Sequence, residues 1–480
     1  MISAYTKTVN LKDGGLYMSE EKTRPFGIRD KLGYMFGDFG NDFTFILSSM
    51  ILMKFYSDVM GIDTALIGTM MMIARFLDAF TDVTMGQLVD RSKKGKKGKF
   101  LKWILWVSVP VSLASFLMYA EWFRNFPYGF KVFWMFFTYL IWGSVFYTAI
   151  NIPYGSMVSA ISPEPKHRAQ LSNYRSIGAA LAGMVIGVVL PLLVFFEDEN
   201  GNQVLSGRRV MLAALICSVG AVICYLLCYN LVTERVVLPE KREKFSFSLM
   251  LRDLSKNKAL IGIVAATICM LLVQLTLSQM VTYVFPNYFK NTAAQSAAGL
   301  IGVVITLICA SFTVRISEKF GRKNLAIAGS VLGGAVFIFA FFLKTKNPWV
   351  FVALYALSYI GLAVFSLICW AMITDVIDDT EVKTGRRDDG TIYAVYSFSR
   401  KLGQALSSGV TGFLLGSIGY SQETAFDEAV TKGIYNITCL VPAIGYILLS
   451  LVLYFFYPLG KKAVDENARF LKEKREKTGN

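Results

Sequence analysis

Histidine is almost missing from this chain: 480 residues include one, His167, which the sequence places in a loop. The seven cysteines (Cys217, Cys224, Cys228, Cys269, Cys309, Cys369 and Cys439) all lie in apolar runs, and none has metal-site spacing with the histidine. They read as packing residues. With no nucleophile–histidine pair and no such cluster, neither an enzyme nor a bound cofactor is expected. A third absence is N-terminal. The first 30 residues are polar and lack an apolar h-region, so no cleaved signal peptide is expected, and sorting to the membrane would rest on the first span itself. Acids are also scarce, at 34 against 49 lysines and arginines, a net charge of +15. In a soluble protein that excess would suggest nucleic acid. Here the bases cluster in short links between apolar segments, which excludes nucleic acid as a partner and suits an anionic lipid bilayer.

What is abundant is apolar sequence, 54% of the chain with 14% aromatics. Segments of the roughly 20 residues needed to cross a bilayer recur near 32–58, 63–89, 101–120, 130–157, 171–196, 208–233, 259–286, 294–316, 324–343, 349–376, 390–416 and 433–457. About twelve transmembrane helices put both ends on one side. Links after the even spans hold most lysines and arginines, from Arg91 to Lys102, Lys166 to Arg168, Arg235 to Lys258, Arg315 to Lys323 and Lys383 to Arg387. The link 57–64 has none, and 197–202 is acidic. The positive-inside rule then makes both termini cytoplasmic, in a multi-pass protein of the plasma membrane. The long polar link 234–258 divides the spans six and six, giving an N-terminal segment 1–31, a bundle 32–233, a second bundle 259–457 and a basic amphipathic tail 458–480. The acidic–basic hairpin after span 2, with Asp90 and Arg91, recurs after span 8 with Glu318 and Arg322. These four are read as gating residues, together with Arg75.

The rest is organised around 74–82, ARFLDAFTD, where Arg75, Asp78 and Asp82 interrupt an apolar run. A charge at the centre of a membrane helix costs roughly 2.5–3.5 kcal/mol. At spacings of three and four residues the three share one helix face, so they face a polar interior. In span 4, Thr148 and Asn151 stand one turn apart beside Pro153, which frees a backbone carbonyl. Their oxygens can complete a cation site with Asp78 and Asp82, since hard cations take oxygen ligands. Span 1 carries Asp38, Asn41 and Asp42 in GDFGND, 37–42, beside small Gly37 and Gly40 that allow close approach. Arg175 opens span 5, and span 11 holds Ser397, Arg400, Lys401 and Gln404. An unpaired buried ammonium is costly, so Lys401 should meet Asp78 or Asp82 across the halves. Trp370 in span 10 can stack on a sugar ring.

Two six-span halves with a repeated hairpin resemble the major facilitator superfamily. The markers GDFGND, YSDVMG (56–61), ARFLDAFTD, NIPYGS (151–156) and the stretch 375–404 resemble, in register from about 31 to 458, the glycoside–pentoside–hexuronide:cation symporter family typified by the melibiose permease. The resemblance implies an all-α membrane fold and a coupling cation, Na⁺ or H⁺, bound at Asp78 and Asp82 with help from Thr148. It implies that Asp42, Arg175 and Lys401 serve the sugar site or its link to the cation. Where the melibiose permease has an acid used in galactoside recognition this chain has Asn151, and where that protein has an aromatic four residues on it has Gly155, so the span 4 and span 11 wording is more similar to glucuronide- and xyloside-type members.

The expectation is therefore a sugar or glycoside symporter working by alternating access as a monomer in the bilayer. Its cation set is Asp78, Asp82, Thr148 and Asn151, with Asp78 and Asp82 as the metal ligands if Na⁺ is used. Its substrate set is Asp42, Arg175, Trp370, Ser397 and Lys401. The alternative is a lipid or drug carrier on the same fold, which a wide apolar cavity would favour.

Overall fold

The computed structural model describes residues 6–12, 15–21, 24–236, 257–385 and 389–478. The central part of the expected 234–258 link lies outside the described residues. Among the described residues twelve long helices follow one another: α1 Ile28–Asp58, α2 Thr64–Arg91, α3 Phe100–Leu117, α4 Tyr128–Ile161, α5 Pro165–Val194, α6 Gly207–Leu231, α7 Lys258–Tyr288, α8 Thr292–Phe320, α9 Arg322–Leu343, α10 Pro348–Thr384, α11 Asp389–Ser417 and α12 Glu428–Phe455. A tail helix, α13 Lys461–Thr478, follows. Among the described residues ten of these helices are long and apolar enough to cross a membrane. The other two long ones, α1 and α11, carry Asp38, Asp42, Arg400 and Lys401 within their length.

Side chains set the helix starts. The carboxylate or amide oxygens of Asp63, Asn257, Asn291 and Asn347 accept from backbone N–H groups of Leu66, Leu260, Ala294 and Trp349 at 3.0, 3.1, 2.8 and 2.9 Å. Each such cap satisfies a donor the first turn would otherwise leave orphaned. Gly321, at φ +86°, ends α8 and starts α9 in a conformation that favours glycine.

Packing repeats with a shift of six helices. Within the first half α1 packs on α5 and α6, and α3 on α4 and α6. Within the second, α7 packs on α11 and α12, and α9 on α10 and α12. Between halves α2 lies along α11, α5 meets α8, and α1 touches α7. Outside, Ile216, Phe342, Phe413 and Phe455 stand at 66–73% exposure, the apolar exterior that a lipid-facing bundle requires.

Among the described residues most hydrogen bonds between halves gather at the end carrying the α1–α2, α7–α8 and α11–α12 turns, here called the turn end. There Thr282 donates to the Met50 carbonyl at 3.2 Å, and backbones meet at glycines. A Cβ on Gly412 would lie 2.7 Å from the Gly68 Cα, and one on Gly299 2.5 Å from the Gly187 oxygen. At the opposite end, Asp30 is fully buried and gathers Arg24 Nη2 and Arg235 Nη2, both at 2.9 Å, with the backbone N–H groups of Gly27 and Thr233 at 3.1 Å.

One local reading changes, that of His167, and two polar segments hold strand pairs. The polar N-terminal segment contains an antiparallel pair, β1 Thr6–Lys12 with β2 Gly15–Glu21. The acidic link at 197–202 is the tip of a second pair, β3 Phe195–Glu197 with β4 Gln203–Leu205, closed by Asp198 accepting from the N–H groups of Asn200 and Asn202 at 2.9 and 2.7 Å. His167 lies in the first turn of α5, not in a loop, because Pro165 fits the first helical position and starts the helix early. Its ring stacks on Phe26 with centroids 4.0 Å apart.

Candidate cation and substrate site

Halfway along α2, Arg75 Nη1 donates to Asp78 Oδ2 at 3.0 Å. The guanidinium is buried among the rings of Phe45, Tyr139 and Trp142, whose centroids lie 5.3, 5.8 and 5.9 Å away. The second carboxylate oxygen, Asp78 Oδ1, accepts from Ser144 Oγ at 2.6 Å. Asp82, one turn on, accepts from Thr148 Oγ1 at 3.0 Å and is ion-paired with Lys401, which crosses from α11. The Lys401 ammonium also donates to the Asp78 carbonyl at 3.1 Å. Asp78 is 3% exposed, whereas Asp82 and Lys401 are 22% and 20% exposed, so the pair is open on the Asp82 side.

Serine and threonine meet α2 because α4 is locally widened. Residues Ile141–Tyr147 form a π turn, and Thr148 Oγ1 lies 3.2 Å from the carbonyl of Gly143, five residues back. Two hydrogen-bonded pairs one turn apart, Asp78–Ser144 and Asp82–Thr148, therefore present a row of carboxylate and hydroxyl oxygens suited to a small hard cation. Asn151 is not in the row: it is half-buried one turn further along α4 and hydrogen-bonds neither carboxylate, because the row ends at Asp82.

A second cluster joins α1 to α5. Arg175 Nε donates to Asp38 Oδ1 at 2.9 Å, and its guanidinium lies 5.7 Å from the Tyr154 ring. Tyr154 stacks on Tyr34 at 4.6 Å and donates to its carbonyl at 2.8 Å. Asp42, one turn beyond Asp38, lies within electrostatic reach of both Asp38 and Arg175. Asn41 instead accepts from the Tyr225 hydroxyl at 2.9 Å and serves packing. Trp370 belongs to a third group: half exposed, it lies edge-on to Tyr396 at 4.9 Å with the Arg400 guanidinium 6.0 Å from its ring. Ser397 is exposed on α11.

The residues read as gating residues are dispersed. Asp90 and Arg91 are exposed; Lys99 lies 3.5 Å from the Asp90 carboxylate and donates to its carbonyl at 2.7 Å. Glu318 is exposed, and Arg322 is ion-paired with buried Asp375, tying α9 to α10. The basic hairpin is anchored instead by Glu234, whose carboxylate accepts from the backbone N–H groups of Lys99, Phe100 and Leu101 at 2.8, 2.9 and 2.7 Å. Burial raises its pKa above the ordinary glutamate value, against the pull of those three donors and Lys94. Sequence reasoning missed Ser144 and Glu234. A serine in an apolar run carries no signal, although its spacing of four from Thr148 could have drawn attention to it.

The protein family described as MFS/sugar transport protein matches residues 33–461. The chain is 30% identical over 446 residues to "Uncharacterized symporter YjmB" of Bacillus subtilis, covering 92% of this chain and 95% of that one. It is 29% identical over 442 residues to "Glucuronide carrier protein homolog" of Escherichia coli, with 91% and 94% covered. In fold it is similar to a bacterial homolog of the human lysosomal transporter Spinster in an inward-facing and unoccupied conformation, with TM-score 0.65, 12% identity and coverage of 93% and 99%.

Proposed function

From the premise that the chain belongs to the MFS/sugar transport protein family, a family of transporters and not of enzymes, we propose that it is a sugar:cation symporter working by alternating access. The observation that carries the reading is the Lys401–Asp82 pair. A lysine of one half fills, with its own ammonium, the place beside Asp82 that a coupling cation would take. A cation bound among Asp78, Asp82, Ser144 and Thr148 releases Lys401, and with it a link between halves. Release lets α11 move against α2 and frees Lys401 for the substrate cavity. Cation and sugar then raise each other's affinity, as linkage requires.

The substrate on this reading is a glycoside, and an acidic one fits best. Arg175 offers a planar fork suited to a carboxylate, with Asp38 holding its Nε and leaving the terminal nitrogens available. The glucuronide named in one relative is of that chemistry. Four oxygen-bearing side chains at once favour Na⁺ as coupling ion, since a proton needs a single carboxylate. Both termini are cytoplasmic by the distribution of lysine and arginine, which makes the turn end external and this conformation closed to the outside. The bundles are 32–233 and 259–457, each moving as one body, in a monomer in the plasma membrane. The test is uptake at fixed pH and clamped membrane potential with and without Na⁺. Indifference to Na⁺, with loss of uptake when the pH gradient is collapsed, assigns the proton.

A further inference from the structure

Lys54 is a charged side chain that the symport mechanism leaves unused. It lies in α1 between Ile51–Met53 and Phe55, and is 1% exposed. A buried ammonium must have all three of its N–H donors met. They are met here by Asp58 Oδ2 at 2.9 Å, Asn287 Oδ1 at 2.7 Å and the Tyr420 hydroxyl at 2.9 Å. The first acceptor belongs to α1 itself. The other two come from the opposite half, from the π turn Val284–Tyr288 closing α7 and from the α11–α12 connection. The Tyr420 hydroxyl in turn donates to Asp58 Oδ1 at 2.8 Å, and the Asn287 amide donates to the Ala425 carbonyl at 3.0 Å. The Tyr283 ring caps the ammonium at 4.4 Å.

We propose that Lys54 is the latch of the turn end: a gating residue of the transport cycle whose ammonium holds the two halves together through Asn287 and Tyr420. The proposal rests on the alternating-access reading above. A lysine serving α1 alone would find its acceptors within its own half. This one keeps only Asp58 when the halves part, so its hydrogen bonds depend on the turn end being shut. Opening needs water to replace two acceptors, and a route exists. Asp58 borders a cavity of about 210 Å³ that Glu121, Arg124 and Gln203 of one half and Gln422 of the other also line. The backbone contacts at Gly68–Gly412 and Gly187–Gly299 bring the halves close enough for side chains as short as Asn287 to reach across.

The test uses spin labels at Tyr128 and Glu423, both exposed at the turn end on opposite halves, in purified full-length protein without ligand. Tyr420→Phe removes one acceptor and leaves Lys54 paired with Asp58, so it should fold. Loss of its two hydrogen bonds to charged groups, with Lys54 and with Asp58, should raise the ratio of turn-end-open to closed molecules at least about tenfold. Lys54→Met should raise it further, and Asn287→Ala should resemble Tyr420→Phe. Unchanged distance distributions in both Tyr420→Phe and Asn287→Ala overturn the latch even if Lys54→Met fails to fold. If the distances shift while the wild-type protein accumulates no sugar under any cation gradient, the latch stands and the symport reading falls.

Discussion

Replacing Lys401 by Met separates a competitor for the cation site from a mere structural partner of Asp82. Removing one member of a fully buried ion pair costs about 3–5 kcal/mol, whereas an exposed pair is worth about 0–1 kcal/mol. At 20% and 22% exposure the Lys401–Asp82 pair lies nearer the buried limit. A value of about 2–3 kcal/mol follows, equivalent to roughly 30- to 150-fold in an equilibrium constant. If Lys401 occupies the place of the coupling ion, that energy now opposes ion binding. Lys401→Met should therefore bind the cation more tightly, by up to that factor, while losing concentrative uptake. Lys401→Ala should behave likewise, and Lys401→Arg should be impaired less because the positive charge remains. The assay is direct titration of purified protein with Na⁺ and, in parallel, with acid, set beside uptake in intact cells. Weaker or unchanged cation binding in a well-folded Lys401→Met protein would refute the reasoning.

Asp78→Asn and Asp82→Asn should each abolish sugar accumulation with expression largely intact; normal accumulation in both removes the cation assignment. Arg175→Lys should lose more affinity for a uronic sugar than for its neutral counterpart, because an ammonium cannot reproduce the planar fork, and competition uptake with the paired sugars measures it. Glu234→Ala should orphan the amides of Lys99, Phe100 and Leu101 and lower stability by about 1–3 kcal/mol, whereas Glu234→Gln keeps an acceptor and should lose less. Because burial raises the Glu234 pKa, the folded protein holds that proton more tightly than the unfolded chain. Its contribution to stability therefore falls as pH climbs from about 4.5 through the raised value, and melting curves of Glu234→Gln should lack that slope.

Charges inside apolar runs were the legible part of the site. Arg75, Asp78, Asp82 and Lys401 stand out because membrane insertion penalises them, and spacing alone puts the first three on one face. The twelve helices were legible for the same reason, since length and apolarity are local properties. What stayed hidden depends on neighbours distant in sequence. Ser144 joins the row through Asp78, a partner 66 residues away that nothing in its own apolar run announces. Asn151 was drawn in by regular helical periodicity. Lys54 stood in plain view in ILMKFYSD, but two of its three acceptors are 233 and 366 residues away. Trp370 was read for its ring, and what its ring meets are Tyr396 and Arg400.

Asp30 bears on how force enters the molecule. The chain enters the first half beside Arg24 and leaves it beside Arg235, and both are bound to the two oxygens of one buried carboxylate. The backbone N–H groups of Arg235 and Val236 add bonds to the Ala160 carbonyl at 2.7 and 2.9 Å. A pull on the chain beyond Val236 therefore meets these bonds together before it reaches α6. The first half is thus cinched at its neck, where its incoming and outgoing segments share one carboxylate.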